Sequence, residues 1–239
     1  MSEVVQEIIS RAGIRTKAYI KPIGVSYNQL FDIDDQFIVR LGTSEDGEYF
    51  PKSSSILRQL QGLAKVPTIV FEDFTKTHVP YNVMILTKIK GQLPCEVWRE
   101  LPASKRERTI EDLCDQMRII HAVDYHTNPL IRPEDSFHNR DFHIAESKFH
   151  TAMSTGRISP QKLEAIWAYV QENSRILTEY VPLCLTHSDL HLNNILLHED
   201  QVAALIDFED SCLGSPFMDL FNFVDPVRVH DNFCVNGPH

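Results

Sequence analysis

No stretch of this 239-residue chain approaches the roughly 18 consecutive apolar residues that a membrane span requires. The opening residues, MSEVVQEIIS, carry acids where a secretory leader needs bases, so no leader is expected. The five cysteines stand at irregular spacing and form no CxxC pair. This argues against a zinc site or a disulfide framework and predicts reduced, buried thiols in a cytoplasmic protein. Internal repeats and low-complexity tracts are absent. Positive charge is scarce as well: the net charge is −10, and from Leu183 to His239 there are nine acids against one base, Arg228. A nucleic-acid backbone would be repelled by that segment, whereas a metal cation or a cationic substrate would be attracted. The bland alternative is acids that serve solubility alone.

Apolar residues make up 43% of the chain, enough for a core, and the length suits one large domain or two small lobes. Residues 2–12 suggest a short amphipathic helix with Val4, Val5, Ile8 and Ile9 on one side. Strands are expected at about 16–23, 27–33 and 36–42, the last two joined by an Asp34-Asp35 turn. Ser53–Ala64 reads as a helix burying Ile56, Leu57, Leu60 and Leu63, and Val66–Glu72 and Tyr81–Ile89 read as strands. A helix over Ser104–Asp124 would bury Ile110, Leu113, Cys114, Met117 and Ile120. Ser159-Pro160 opens another, with Leu163, Ile166, Trp167 and Val170 inward. The element order predicts an α+β fold: a small antiparallel β lobe, residues 1–90, leading into a mainly helical lobe, residues 91–239.

The densest chemistry lies in His187-Ser-Asp189-Leu-His191-Leu-Asn-Asn194 and Ile206-Asp207-Phe208-Glu209. An acid, an amide five residues later and a second acid thirteen beyond that are what a Mg-nucleotide phosphotransferase needs. One acid accepts the proton of the attacking hydroxyl, and the amide and the second acid hold the metal on the phosphates. Between them, Asn194–His198 and Val202–Ile206 read as strands joined by a Glu199-Asp200-Gln201 turn. Such a hairpin would bring the metal-ligand candidates together.

HSDLHLNNILL and ALIDFED resemble the catalytic and metal-binding segments of the aminoglycoside phosphotransferase and choline kinase-like family, which has a protein kinase-like fold. The resemblance is tightest over residues 183–222 and looser over 19–123. It implies Asp189 as catalytic base, Asn194 and Asp207 as Mg²⁺ ligands, and ATP as phosphate donor. It places Gly24 and Ser26 in a phosphate-covering hairpin, Arg40 on the α/β-phosphates where a Lys is usual, and the adenine against backbone groups near Thr87 and Ile89. His187 is expected to brace the loop and Asp219 to tie it. The acceptor is expected to be a hydroxyl on a small cationic molecule, an aminoglycoside foremost; Glu134, Asp135, Asp141 and Glu146 could add amine-binding carboxylates.

Three features depart from the family pattern. The helix after Arg40 should supply a Glu to pair with it, but Lys52-Ser-Ser-Ser-Ile56 holds no acid and Glu48 precedes Pro51. Arg40 itself replaces Lys, and an Arg facing water from an edge strand is the alternative reading. Residues 225–239 show no helical period, so the C-terminal helices are expected to be shortened. Two rival functions follow. One is a kinase-like protein that binds a nucleotide without turnover. The other is a metal-dependent hydrolase using His187, Asp189 and His191, with His198 in reserve.

Overall fold

The structure, a computed structural model, describes residues 2–16, 19–25, 28–42, 49–98, 100–174 and 182–220. Its first half is a five-stranded antiparallel sheet of order β1-β2-β3-β5-β4, built from β1 (Ile20–Val25), β2 (Gln29–Ile33), β3 (Phe37–Gly42), β4 (Ile69–Asp73) and β5 (Asn82–Thr87). Asp34 and Asp35 turn β2 into β3 with left-handed φ of 53° and 58°, a conformation that Asp tolerates better than most residues. Strand periodicity sorts the side chains to two faces. Phe31, Ile33, Val39, Leu41, Val83 and Ile85 bury one face against Val5, Ile8 and Ile9 of helix α1 (Ser2–Arg11). Met84 and Leu86 turn the opposite way and pack with Phe50, Ile56, Leu57 and Leu60 of α2 (Tyr49–Leu60). Arg40 pairs in register with Met84 and therefore shares this second face.

That second core continues into the other half of the molecule. It takes in Leu113, Met117 and Ile120 of α4 (Ala103–His121) and residues of the strands that follow. The short α3 (Pro94–Val97) comes before α4; α5 (Phe137–Thr155) and α6 (Pro160–Ser174) come after it. Strand pairs β6 (Cys184–Thr186) with β9 (Cys212–Gly214), and β7 (Ile195–His198) with β8 (Gln201–Leu205), complete the chain's described elements. Glu199 and Asp200 close the β7–β8 hairpin with φ of 49° and 69°, as a tight two-residue turn requires.

The halves join where β5 runs out. Gln92 exchanges backbone hydrogen bonds with Leu197 of β7 at 2.8 and 2.9 Å. A Cβ on Gly91 would come within 2.9 Å of the Leu197 carbonyl oxygen, so glycine is what permits the approach. The β7–β8 hairpin is thus fixed to the segment that links the two halves.

Four readings of the sequence change. Leu63 is 61% exposed because α2 stops at Leu60, where Gly62 enters the left-handed region (φ 77°) and the Leu60 carbonyl receives the Leu63 and Ala64 amides. Ile110 is 39% exposed; the buried stripe of α4 runs through Thr109, Leu113, Gln116, Met117 and Ile120 instead. Ile166 is 58% exposed, and α6 packs through Leu163 and Trp167, whose ring stacks on Phe149 with centroids 5.2 Å apart. Helix α5 was not legible, since its aromatic residues acquire a partner only when α6 folds back on it. Among the described residues no helix is long and apolar enough to cross a membrane. Cys95, Cys114, Cys184 and Cys212 form no disulfide; against the expectation of buried thiols, the first three are partly exposed and Cys212 is buried. Burial, with the charge of Asp219 adding to it, pushes the Cys184 thiol up to about 12. Residues 225–239, where shortened helices were expected, lie outside the described residues.

Candidate active site

Strand β6 delivers the chain into a loop held from below by one carboxylate. Asp219 is fully buried; it accepts the His187 amide at 3.0 Å, the Ser188 amide at 2.8 Å and His121 Nε2 at 2.9 Å. These bonds hold Ser188 at a left-handed φ of 67°, an unfavourable conformation that persists only when the surroundings impose it. The His187 ring lies 4.5 Å from Phe208, and its Nε2 bonds the Ile206 carbonyl at 2.9 Å. His187 therefore braces the loop against the segment that carries Asp207, and Asp219 ties it, as expected for both.

Past the turn, Asp189 is half-exposed. Asn194, buried at the end of a short 3₁₀ turn (Leu192–Asn194), donates its Nδ2 to the Asp189 carbonyl at 2.9 Å and to Asp189 Oδ2 at 2.8 Å. That commits the amide nitrogen and leaves the amide oxygen as the polar atom still to be used. His191 Nε2 stands 3.3 Å from Asp189 Oδ2, while its Nδ1 accepts the Asn193 amide. Burial raises the Asp189 carboxyl pKa, but the His191 hydrogen bond and charge, the charge of His187 and the Asn194 amide outweigh it and leave a pKa below the ordinary value. The same Asp189 bond raises His191, against burial, with the charges of Asp189 and Asp207 adding to it. The Ile206 amide donates to the Asn194 carbonyl at 2.9 Å, so the hairpin sets Asp207 beside this group. Asp207 also has a left-handed backbone (φ 66°) and a side chain 45% exposed.

Arg40 lies on an inner strand of the sheet and is 8% exposed, not an edge residue in solvent. Its Nη2 donates to Asp207 Oδ1 at 3.1 Å and to Glu209 Oε1. Glu209 in turn accepts Asn28 Nδ2 on both oxygens, at 2.7 and 2.9 Å. The Phe50 ring of α2 sits 5.8 Å from the guanidinium. The helix itself offers no carboxylate: Ser54 and Arg58 bond Glu72 on β4, and Glu48 lies outside the described residues. In the sequence Asn28 reads only as the Asn that ends the phosphate-covering turn Gly24-Val-Ser26-Tyr-Asn28, and nothing there gives it or Glu209 a part in holding Arg40. The signal for Glu209 is its place as the second acid of Ile206-Asp207-Phe208-Glu209, two residues from Asp207 and so able to reach the same region.

The remaining candidates fall as follows. Gly24 is in β1, where the pairing with β2 is irregular between Pro22 and Val25; Ser26 lies outside the described residues. The Thr87 amide is already committed to the Thr68 carbonyl at 2.9 Å. Ile89 has no backbone hydrogen-bond partner among the described residues. The hydrolase constellation does not form. Among the described residues, no three His, Cys, Asp or Glu side chains could share a metal, because His187 points to Ile206. Asp207 and the Asn194 oxygen remain as a hard-oxygen pair of the kind that suits Mg²⁺.

This arrangement of a cation-bearing antiparallel sheet over an acid-amide-acid hairpin defines a protein kinase-like phosphotransferase fold. The family model described as the phosphotransferase enzyme family matches residues 21–235, and the chain belongs to that family. Among solved structures it is similar to the streptomycin–ATP ternary complex of APH(2'')-IIa, with a TM-score of 0.73 and 16% identity over 92% of this chain and 74% of that one. It is also similar to the GDP–kanamycin complex of APH(2'')-IIIa, with a TM-score of 0.71 and 16% identity over 94% and 78% of the two chains. A third is an aminoglycoside phosphotransferase-like protein of Ralstonia eutropha JMP134, with a TM-score of 0.70 and 16% identity over 96% and 70%. No curated protein matches the chain by sequence.

Proposed function

We propose that this protein transfers the γ-phosphoryl group of ATP to a hydroxyl of a small cationic molecule of the aminoglycoside kind. In this reading residues 1–90 hold the nucleotide and residues 91–239 carry catalysis and the acceptor. The observation that carries it is the convergence of Asp189, Asn194, Asp207 and Arg40, brought from four separate elements. Asp189, kept ionised by its neighbours, orients the acceptor hydroxyl and takes its proton as the oxygen bonds to phosphorus and ADP leaves. Asn194 fixes that carboxylate with its nitrogen, and its oxygen and Asp207 are the groups that would hold Mg²⁺. The metal, when bound, neutralises charge on the phosphates. Arg40 grips phosphate oxygens, its charge permanent and its fork suited to paired contacts. Gly24 and Ser26 lie over the phosphates, and the adenine meets the backbone at Thr87 and Ile89, with Ile89 supplying the uncommitted amide.

Solved relatives have been captured with streptomycin and ATP, with gentamicin, with kanamycin and GDP, and with hygromycin B and ADP. Those compounds are polycations, which agrees with the acidic character of this chain's last quarter. The test is transfer of labelled γ-phosphate to a panel of aminoglycosides and amino alcohols. Asp189→Asn should lower turnover by about 10²–10⁴-fold; unchanged turnover rules out the assignment. A second reading, nucleotide binding without turnover, is favoured by one observation, the absence of an acid on α2. ATP binding with no transfer to any acceptor would select it.

A further inference from the structure

A cation that must meet phosphate needs a partner that sets its direction, and α2 carries none: its sequence, YFPKSSSILRQL, contains no Asp or Glu. The acids of the sheet on neighbouring register positions are engaged elsewhere, Glu72 by Ser54 and Arg58 and Asp32 by Lys88. What faces Arg40 from the helix is Phe50, an aromatic face that attracts a guanidinium but gives it no direction.

Carboxylates reach it instead from the segment after β8. A single nitrogen of Arg40 reaches both Asp207 and Glu209, yet the two acids are held very differently. The Asp207 side chain is 45% exposed and, among the described residues, has Arg40 as its hydrogen-bond partner. Glu209 is 23% exposed and clamped on both oxygens by Asn28. Glu209 is therefore an independently fixed anchor, and Asp207 is the contact that can be given up to a metal.

We infer that Glu209, anchored by Asn28, is the positioning residue for Arg40, taking over from the catalytic lobe the task for which α2 has no acid. The inference rests on the phosphotransferase reading above. It has a mechanical consequence. Arg40 lies on β3 and Asn28 directly precedes β2, whereas Glu209 follows Asp207, so the phosphate-gripping cation is set by the same segment that presents the metal ligand. Closure of the lobes and orientation of Arg40 become one event.

The test is a double-substitution cycle on the full chain, read by calorimetry of ATP with and without Mg²⁺. Glu209→Gln should weaken ATP binding about tenfold to a hundredfold, the range usual for loss of an orienting partner. The loss should appear in both conditions. In an Arg40→Ala background the same substitution should change binding by less than about twofold, because the residue it orients is gone. Asn28→Ala, which loosens Glu209 without discharging it, should show a smaller loss with the same dependence on Arg40, and it serves where Glu209→Gln does not fold. Glu209→Asp should recover part of the affinity. Equal losses with and without Arg40 overturn the inference while leaving the phosphotransferase reading in place. A loss seen only with Mg²⁺ makes Glu209 a metal ligand and overturns it too. A wild-type protein that binds no ATP in either condition overturns both.

Discussion

Removing Asp219 should cost this protein a large part of its stability, although the residue touches no reacting group. Its carboxylate is completely buried and receives two backbone amides and one imidazole. Asp219→Ala strands the His187 and Ser188 amides inside the protein. Hydrogen bonds to a charged acceptor are worth about 1.5–3 kcal/mol each, so the two amides alone predict a loss of about 3–6 kcal/mol. Typical domains have about 5–15 kcal/mol in total. Ser188 offsets part of the effect, since its left-handed φ of 67°, imposed by these bonds, can relax when they are lost. Asp219→Asn keeps the shape but turns an NH₂ towards one of the two amides, and should cost less, about 2–3 kcal/mol. Urea unfolding reads both, with the exposed Glu164→Ala as a control expected within about 0.5 kcal/mol of wild type. An Asp219→Ala protein within about 1 kcal/mol of wild type would refute the reasoning, because buried amides would then have found other partners.

Other outcomes follow from the packing. Gly42→Ala places a Cβ 2.5 Å from the Phe50 ring; it should lose about 1–3 kcal/mol by thermal melting, and Phe50→Leu in the same chain should restore part of that. Ile56→Ala, at a fully buried position, should cost about 2–5 kcal/mol, whereas Ile166→Ala, at a position 58% exposed, should stay within about 0.5 kcal/mol; the reverse ranking would restore the original reading of α6. Asp73 is held near a pKa of about 2, chiefly by the Thr75 hydroxyl and amide and further by Arg11, against burial. Because its folded pKa is depressed, its contribution is present above the ordinary value of 3.8 and is lost as pH falls towards 2. Melting temperatures of wild type and Asp73→Asn should therefore differ at pH 6 and converge by about pH 2; a gap independent of pH contradicts the assignment.

The parts of the fold that could be read from sequence are those whose signal is local. The β7–β8 hairpin was legible because a polar turn separates two apolar runs. The first three strands and α1 were legible from alternation and from the 3.6-residue period. Strands β6 and β9 were not, since each is three residues long and is defined only by the other. The aromatic residues of α5 looked unpatterned without Trp167. The grouping of Asp189, Asn194 and Asp207 was legible from spacing, and the loop-tying place of Asp219 from its motif. The partner of Arg40 was not: Asn28 and Glu209 stand 181 residues apart in the chain, and only the docking of the first half on the segment after β8 brings them together. The family pattern puts an acid on α2, which has none; the carboxylates that meet Arg40 come from the segment after β8.

The central claim is that Asn194 and Asp207 form a Mg-nucleotide site under Arg40. Calorimetric titration of ATP into the wild-type protein, with and without Mg²⁺ and repeated on Asp207→Asn, tests it most directly. The account predicts binding in the micromolar range that strengthens with Mg²⁺ and loses that dependence in Asp207→Asn. Binding that ignores Mg²⁺ in both proteins, or no binding in either, would contradict it.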